Sequence, residues 1–338
     1  MNFHKRLAKS GRQFGQLVDR PSGLFVFGIY DAISAKAAVL AQCETLYLGG
    51  YAASAVRGFP DFGIMTMSEV VQHVKFIARF VDVPLIVDID DGYGGINNVI
   101  RTAEEILMIP GVAAIHLEDQ HLPKRCGHIA GKAVLPISEY LGKLKAVLDV
   151  RDALNPHCKV IARTDAFSAS GGKKDPDVGG DSAESIKRLN AYFDAGADYG
   201  WCEFPSPALE SAEAIAHGVH AKHPHATLGF NISPSFSAEA WRCSPLTDKI
   251  LNDLGYKLRF ATYPSLVAAA RAVYKTALAF QSNAVEGMRN LKKSVEGSPT
   301  EIVNEMVDLQ TYQAREVKYD PQAFERLLTT EGFGAIKK

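Results

Sequence analysis

Eight short apolar runs, each rich in β-branched or aromatic residues and each followed by a segment of helical periodicity, constrain this chain more than any other feature. The runs are Leu24–Ile29, Thr45–Gly49, Leu85–Asp90, Ala113–Leu117, Lys159–Arg163, Tyr199–Glu203, Thr227–Asn231 and Leu258–Thr262. Runs this short and this continuously apolar suit strands buried on both faces, as in a parallel sheet with crossover helices. The segments between and after them predict helices at Ala32–Ala41, Met67–Phe80, Val99–Met108, Ser138–Ala153, Ser182–Ala195, Leu209–His223, Ala238–Leu254 and Ser265–Ala284. Eight strands alternating with eight helices favour a closed (β/α)8 barrel of the TIM type, an α/β fold, over an open doubly wound sheet. A length of 338 residues suits one barrel over 1–284 and a C-terminal helical extension over 285–338. That extension reads as a charged helical stretch Glu286–Lys293, a break at Gly297-Ser298-Pro299 and a helix over Thr300–Glu316. Its apolar side needs cover, either from its own barrel or from another subunit.

Composition excludes several classes of partner. With 37 basic and 38 acidic side chains the net charge is −1, so no long-range field draws nucleic acid or an anionic membrane. Met1 to Asp19 is polar and basic and lacks the apolar run of a secretory signal, and no uninterrupted apolar stretch is long enough to span a bilayer. Five cysteines, Cys43, Cys126, Cys158, Cys202 and Cys243, are scattered without CxxC spacing, so a cytoplasmic location is expected. Ser168–Ser182 is the clear polar, glycine-rich loop.

In a barrel of this type reactive groups project from the C-terminal ends of the strands. The runs end, in order, on Asp31; Gly49-Gly50-Tyr51; Asp88 and Asp90; His116 and Glu118; Arg163 with Asp165; Glu203; Asn231 with Ser233; and Thr262. A buried strand that turns polar only at its last residue must satisfy or use that group, because unpaired burial costs about 1–3 kcal/mol. One such end simply marks where a strand stops; so many at one mouth point to a site. Asp88, Asp90 and Glu118 come from neighbouring strands and would repel one another, which a divalent cation relieves. Oxygen-only ligands suit Mg2+ or Mn2+ rather than zinc. The structural alternative is that Asp88 or Glu118 pairs with Arg163. After the fourth run, His121–Leu135 forms a loop in which Cys126 is flanked by Lys124, Arg125 and His128, with Gly127 and Gly131 freeing the backbone. An electropositive setting is expected to lower the thiol pKa. By these features alone, an incidental cysteine and a catalytic acid are equal readings.

Asp88-Ile89-Asp90-Asp91-Gly92-Tyr93-Gly94-Gly95, His116-Leu117-Glu118-Asp119-Gln120, Lys124-Arg125-Cys126-Gly127-His128, Ala162-Arg163-Thr164-Asp165-Ala166 and Asn231-Ile232-Ser233-Pro234-Ser235-Phe236 together resemble the isocitrate lyase and phosphoenolpyruvate mutase superfamily. The resemblance runs in order from about Gly28 to Phe280, and the cysteine loop resembles the lyase branch in particular. It implies Mg2+-dependent retro-aldol cleavage of a 2-hydroxy di- or tricarboxylate to a 2-oxo acid and a dicarboxylate. It implies metal coordination near Asp88, Asp90 and Glu118, with Asp61 in an outer position. Substrate carboxylates would meet Gly50, Tyr51, Gly127, Arg163, Asn231, Ser233, Ser235 and Thr262. Cys126 would be the general acid, with His128, Arg163 and Glu203 shaping its environment. The family's tetramers exchange a C-terminal helix, which implies a homo-oligomer here. One departure stands out: the lyases carry a serine where this chain has Gly49. The rival readings are an oxaloacetate or other 2-oxo-acid hydrolase or decarboxylase, or a phosphonate-forming mutase, on the same scaffold, and a catalytically silent dicarboxylate-binding barrel.

Overall fold

A computed structural model describes residues 3–169, 180–320, 322–332 and 334. Most of the glycine-rich loop expected at Ser168–Ser182 lies outside the described residues. Strands β1 (Leu24–Gly28), β2 (Leu46–Leu48), β3 (Leu85–Asp88), β4 (Val112–Glu118), β5 (Lys159–Thr164), β6 (Tyr199–Cys202), β7 (Leu228–Asn231) and β8 (Leu258–Ala261) close into one barrel in sequence order. Every pairing is parallel, and β1 meets β8 through the register Leu24↔Leu258 and Val26↔Phe260. The (β/α)8 expectation holds. Asp90, Glu203 and Thr262, expected as strand ends, stand just beyond the ladders, on the loops that rise from them.

Strand alternation sorts the core into two layers. Leu85, Val87, Ile115, Leu117, Val160 and Ala162 face outward and pack with helix residues such as Val74, Ile106, Leu144 and Leu189. Val26, Tyr47, Ile86, Ala114, Ile161, Trp201 and Phe260 fill the interior. The barrel floor is closed by a helix that the sequence reading did not include, Phe3–Val18, whose Phe14, Leu17 and Val18 join the interior cluster. Phe14 meets Tyr199 edge-on at 5.9 Å between centroids. Leu7, Phe14, Leu17 and Val18 carry the helical spacing that announces such an element.

Capping accounts for several helix boundaries. Asp31, expected at the mouth, instead accepts from Ser34 N at 2.7 Å in a capping box that starts helix Ala32–Leu40. Thr66 and Glu69 do the same for Met67–Ala78. The single helix expected over Ala238–Leu254 is two, Ala238–Cys243 and Asp248–Asp253, because Pro245 cannot continue the first and Thr247 caps the second. The expected helix Thr300–Glu316 is likewise Val303–Met306 and Leu309–Tyr319, parted at Asp308 with φ 59°. By contacts the chain divides into two compact units, residues 1–269 and 270–338. No described helix is long and apolar enough to cross a membrane.

Candidate active site

The same alternation that fills the barrel builds the site. On β3 the interior face runs Ile86, Asp88; on β4 Ala114, His116, Glu118; on β5 Ile161, Arg163; on β6 Tyr199, Trp201. The β3, β4 and β5 faces are apolar below and polar above, and β6 is followed at once by Glu203. Of the residues expected at the site, Gly50, Tyr51, Asp61, Asp88, Glu118, Cys126, Gly127, His128, Arg163, Glu203, Asn231 and Thr262 line a single cavity at this mouth. Asp90, Ser233 and Ser235 are not among its lining residues.

A polar floor lies directly beneath. The Tyr47 hydroxyl stands 3.1 Å from Asp88 Oδ2, to which it donates, and 3.2 Å from His116 Nδ1. His116 stacks on Trp201 with centroids 4.6 Å apart, and the Trp201 indole N–H donates to Glu203 Oε2 at 2.9 Å. His116, expected at the mouth, is therefore an interior support. A Cβ at Gly49 would lie 2.8 Å from the Tyr47 ring, so a serine there requires the ring to shift. Asp88 also accepts from the backbone N–H of Gly50 at 3.1 Å and of Asp90 at 3.0 Å. Burial alone would raise its pKa; His116, Lys124 and Arg163 together hold it well below the usual carboxylate range.

Lys124, in sequence one residue of a basic loop, is the central cation of the acidic cluster. It is 3% exposed, and its ammonium lies 2.7 Å from Asp61 Oδ1 and 2.5 Å from Asp90 Oδ1. Buried Glu118 Oε1, by contrast, has no hydrogen-bond partner among the described residues. Burial raises the Asp90 carboxyl to about 7, with Asp88 and Asp61 adding to the rise and Lys124 opposing it. Burial likewise pushes Glu118 well above its ordinary value, although Arg163 and Lys124 pull it down. The Asp90–Gly94 turn carries left-handed backbone at Asp90 (φ 50°) and Tyr93 (φ 62°), strain of the kind found at functional sites.

These observations test the expected metal. Among the described residues no three His, Cys, Asp or Glu side chains form a ready ligand cage. The cluster nonetheless gathers four buried carboxyl groups, Asp61, Asp88, Asp90 and Glu118, about one lysine, and Glu118 Oε1 is left without a hydrogen-bond partner among the described residues. Oxygen donors in that state fit a hard divalent ion that keeps much of its water, as Mg2+ does.

Across the cavity, Arg163 is multiply engaged. Its Nε and Nη2 donate to Asp165 Oδ2 and Oδ1 at 2.8 and 3.0 Å, while Glu203 and Glu118 stand at 3.5 and 3.6 Å. Asn231 donates to Glu203 Oε1 at 2.9 Å and accepts from Thr262 at 3.3 Å, and His128 Nε2 is 3.1 Å from the same Glu203 oxygen. Burial lowers the His128 pKa, with Glu203 opposing.

Two expectations are corrected here. The Cys126 thiol is raised to about 11 rather than lowered, because burial, with Asp61 and Glu203 adding to it, outweighs the His128 backbone N–H and Arg163. Ser233 and Ser235 do not reach the cavity as a pair: Ser233 Oγ accepts from Ser235 N at 3.1 Å, and Ser235 Oγ bonds the Tyr263 hydroxyl at 2.5 Å. Pro234 between them turns the segment, so i and i+2 do not share a face as in a strand. Tyr263, which the sequence reading missed, takes the wall position instead and packs against Tyr51 with tilted rings, centroids 4.4 Å apart.

The phosphoenolpyruvate phosphomutase family model matches residues 14–277. An isocitrate lyase of Haloferax volcanii is 37% identical over 328 residues, covering 96% of this chain and 91% of that protein. A 2-methylisocitrate lyase of Halalkalibacterium halodurans is 37% identical over 260 residues, 77% and 78% of the two chains. Among solved structures, an oxaloacetate acetylhydrolase bound to 3,3-difluorooxalacetate superposes with a TM-score of 0.74 at 30% identity, covering 92% and 96%. The chain therefore belongs to the phosphoenolpyruvate mutase/isocitrate lyase superfamily, as an enzyme of its carbon–carbon lyase branch.

Proposed function

We propose that this enzyme cleaves a 2-hydroxy di- or tricarboxylate of the isocitrate or 2-methylisocitrate type by a Mg2+-dependent retro-aldol reaction. The observation that carries the reading is the seating of Cys126, Gly127 and His128 in the same cavity as Asp88, Glu118 and Arg163. An acid and an anion-holding end thus face one another across a space for substrate. The likeness to isocitrate lyase over nearly the whole chain supports it.

In this reading Asp88, Asp90, Asp61 and Glu118 would hold the ion, directly or through water. When bound, Mg2+ supplies electrophilic stabilisation of the charge that develops on the emerging 2-oxo acid. The bond between the hydroxyl-bearing carbon and its neighbour breaks as the hydroxyl proton passes to a base, for which Tyr51 in the cavity wall is the candidate, and the electron pair passes to the second fragment. Arg163, with Asn231 and Thr262, would bind that fragment's carboxylate as it gains charge. A thiol held at about 11 stays protonated at neutral pH, so Cys126 carries the proton that the carbanionic carbon takes up. Glu203 orients His128 and Asn231 through contacts of 3.1 and 2.9 Å. The scatter of five free thiols fits a cytoplasmic enzyme. Helix Pro264–Ser282 has no buried residue and exposes Val267, Val273, Tyr274 and Leu278, which fits a homo-oligomer.

A second reading, hydrolysis of oxaloacetate to oxalate and acetate, is favoured by one observation: without the serine pair the cavity lacks a dedicated pocket for a further carboxylate. A product screen with isocitrate, 2-methylisocitrate, 2,3-dimethylmalate, citramalate and oxaloacetate, with Mg2+ or with EDTA, separates the two. The expected result is a 2-oxo acid plus a second acid from a hydroxy-acid substrate, abolished by EDTA and restored by Mg2+. Turnover of oxaloacetate alone would transfer the assignment to the hydrolase.

A further inference from the structure

Lys132 shares a loop with Cys126 but does not line the cavity. It is 4% exposed, and its ammonium makes two bonds: one to the Gly127 carbonyl, the other to Asp165 Oδ1 at 2.9 Å. The first partner is the residue that separates Cys126 from His128. The second is fixed in place, since Asp165 takes two bonds from Arg163 and donates its own N–H to Asp119 Oδ1 at 3.0 Å. Asp119 in turn accepts from Thr164, Arg188 and Tyr192 at 2.7, 3.0 and 2.7 Å. Lys132 therefore ties the crown of the loop to a rigid part of the barrel.

The seat at Gly127 is tight. A Cβ there would collide with Arg163 Nη2, lie 2.6 Å from Glu203 Cγ and stand 3.1 Å from Asp165 Oδ1. The loop's stems are joined independently, by the bridge Gln120↔Val134, by Leu135 N–H donating to Asp119 O at 2.8 Å, and by the Gln120 amide holding the Arg125 backbone. The crown between them is held from the other side by Cys126 N–H donating to Asp61 O at 3.0 Å. Losing Lys132 would therefore loosen the crown on its Gly127 side, leaving the Cys126–Asp61 bond and the stems in place.

We propose that Lys132 is a positioning residue: by clamping the Gly127 carbonyl to Asp165 it holds Cys126 over the cavity, without touching substrate. Its catalytic consequence rests on the reading of Cys126 as the acid, but the clamp itself does not. Because Arg163 and Lys132 share Asp165 Oδ1, the seating of the loop and the orientation of Arg163 form one hydrogen-bonded unit.

Iodoacetamide labelling of the intact protein, read cysteine by cysteine by mass spectrometry, tests this. Cys126 is buried, Cys243 is exposed, Cys158 is buried at the start of β5 away from the loop, and Cys202 is buried in the barrel core. In Lys132→Met, Cys126 should label about tenfold faster or more, the scale expected when charge-assisted hydrogen bonds are lost. Cys243 should not change, and Cys158 and Cys202 should stay protected. Removing a nearby cation by itself disfavours the thiolate and slows labelling, so a rise reports access. Lys132→Gln, which keeps a neutral donor, should rise less. Turnover of the substrate found in the product screen should fall with labelling protection, while KM changes less. Unchanged Cys126 labelling overturns the clamp, as does exposure of Cys126, Cys158 and Cys202 together, which would make Lys132 a folding residue. If the screen finds no cleaved substrate, the lyase reading fails while labelling still decides the clamp.

Discussion

The two ends of the barrel are built from the same strands by opposite means. At the floor, Phe14, Leu17 and Val18 join Leu24, Tyr199 and Leu258 in one apolar cluster. At the mouth, Asp61, Asp88, Asp90, Glu118, Lys124, Arg163, Asp165 and Glu203 are each at most 7% exposed, so charge replaces hydrocarbon as the buried material. Burying apolar surface stabilises the fold at about 25 cal/mol per Å2, whereas a buried ion pair does little more than offset its desolvation. The floor thus carries stability and the mouth carries chemistry, and mutations at the two ends should separate the two quantities.

The largest effect should come at the mouth and should leave the fold intact. Cys126→Ser replaces a thiol by a much weaker acid of similar shape, and turnover in the cleavage direction should fall about 10²–10⁴-fold, the usual worth of a positioned general acid. Thermal unfolding should change little. Stopped-flow or coupled assays showing near-normal turnover in this variant would place the acid elsewhere.

Next in size is the floor. Phe14→Ala removes a fully buried ring that meets Tyr199 edge-on, and should lower unfolding stability by about 3–5 kcal/mol. Turnover per folded molecule should be retained, since no floor residue reaches the cavity except through Tyr47 and Trp201. Urea titration gives the first quantity and an active-site-normalised rate the second; a parallel loss of both would break the division between the ends.

The smallest effect compares two thiols, one from each end. Burial raises Cys126 to about 11 and, with Asp198, raises Cys158 beside the start of β5 to about 12, both from an ordinary value of 9.0. The folded state therefore keeps protons that the unfolded state loses. Their contribution to stability is fully present below about pH 9 and is lost as pH rises through each folded value, at about 1.4 kcal/mol per pH unit per thiol. Urea midpoints between pH 9 and 11 should fall less steeply in Cys158→Ala than in the parent. Identical slopes would show that Cys158 is not a source of alkaline lability.

How much of this was legible follows from the range of the signals. The barrel is visible because each apolar run and each helical period is a local property of a few adjacent residues. Asp88, Glu118, Arg163, Glu203 and Asn231 are visible for the same reason: a strand that becomes polar at its end advertises it. Even the floor helix is local, since Leu7, Phe14, Leu17 and Val18 keep helical spacing. The roles of Lys124 and Lys132 are not, because two lysines in a polar loop look like solvated charges.

What the sequence by itself determined, then, is the order of strands, the polar crown they present and the cysteine loop that follows the fourth strand. The partners of that crown were decided only in three dimensions. Lys124 pairs with Asp61 and Asp90, from loops far apart in the chain; the Cys126 thiol goes up rather than down; Tyr263 takes Ser235 away from the cavity. The physical reason is common to all three. Desolvation and ion pairing depend on which groups share a buried volume, and packing sets that sharing, whereas strand and helix periods are written in neighbours along the chain.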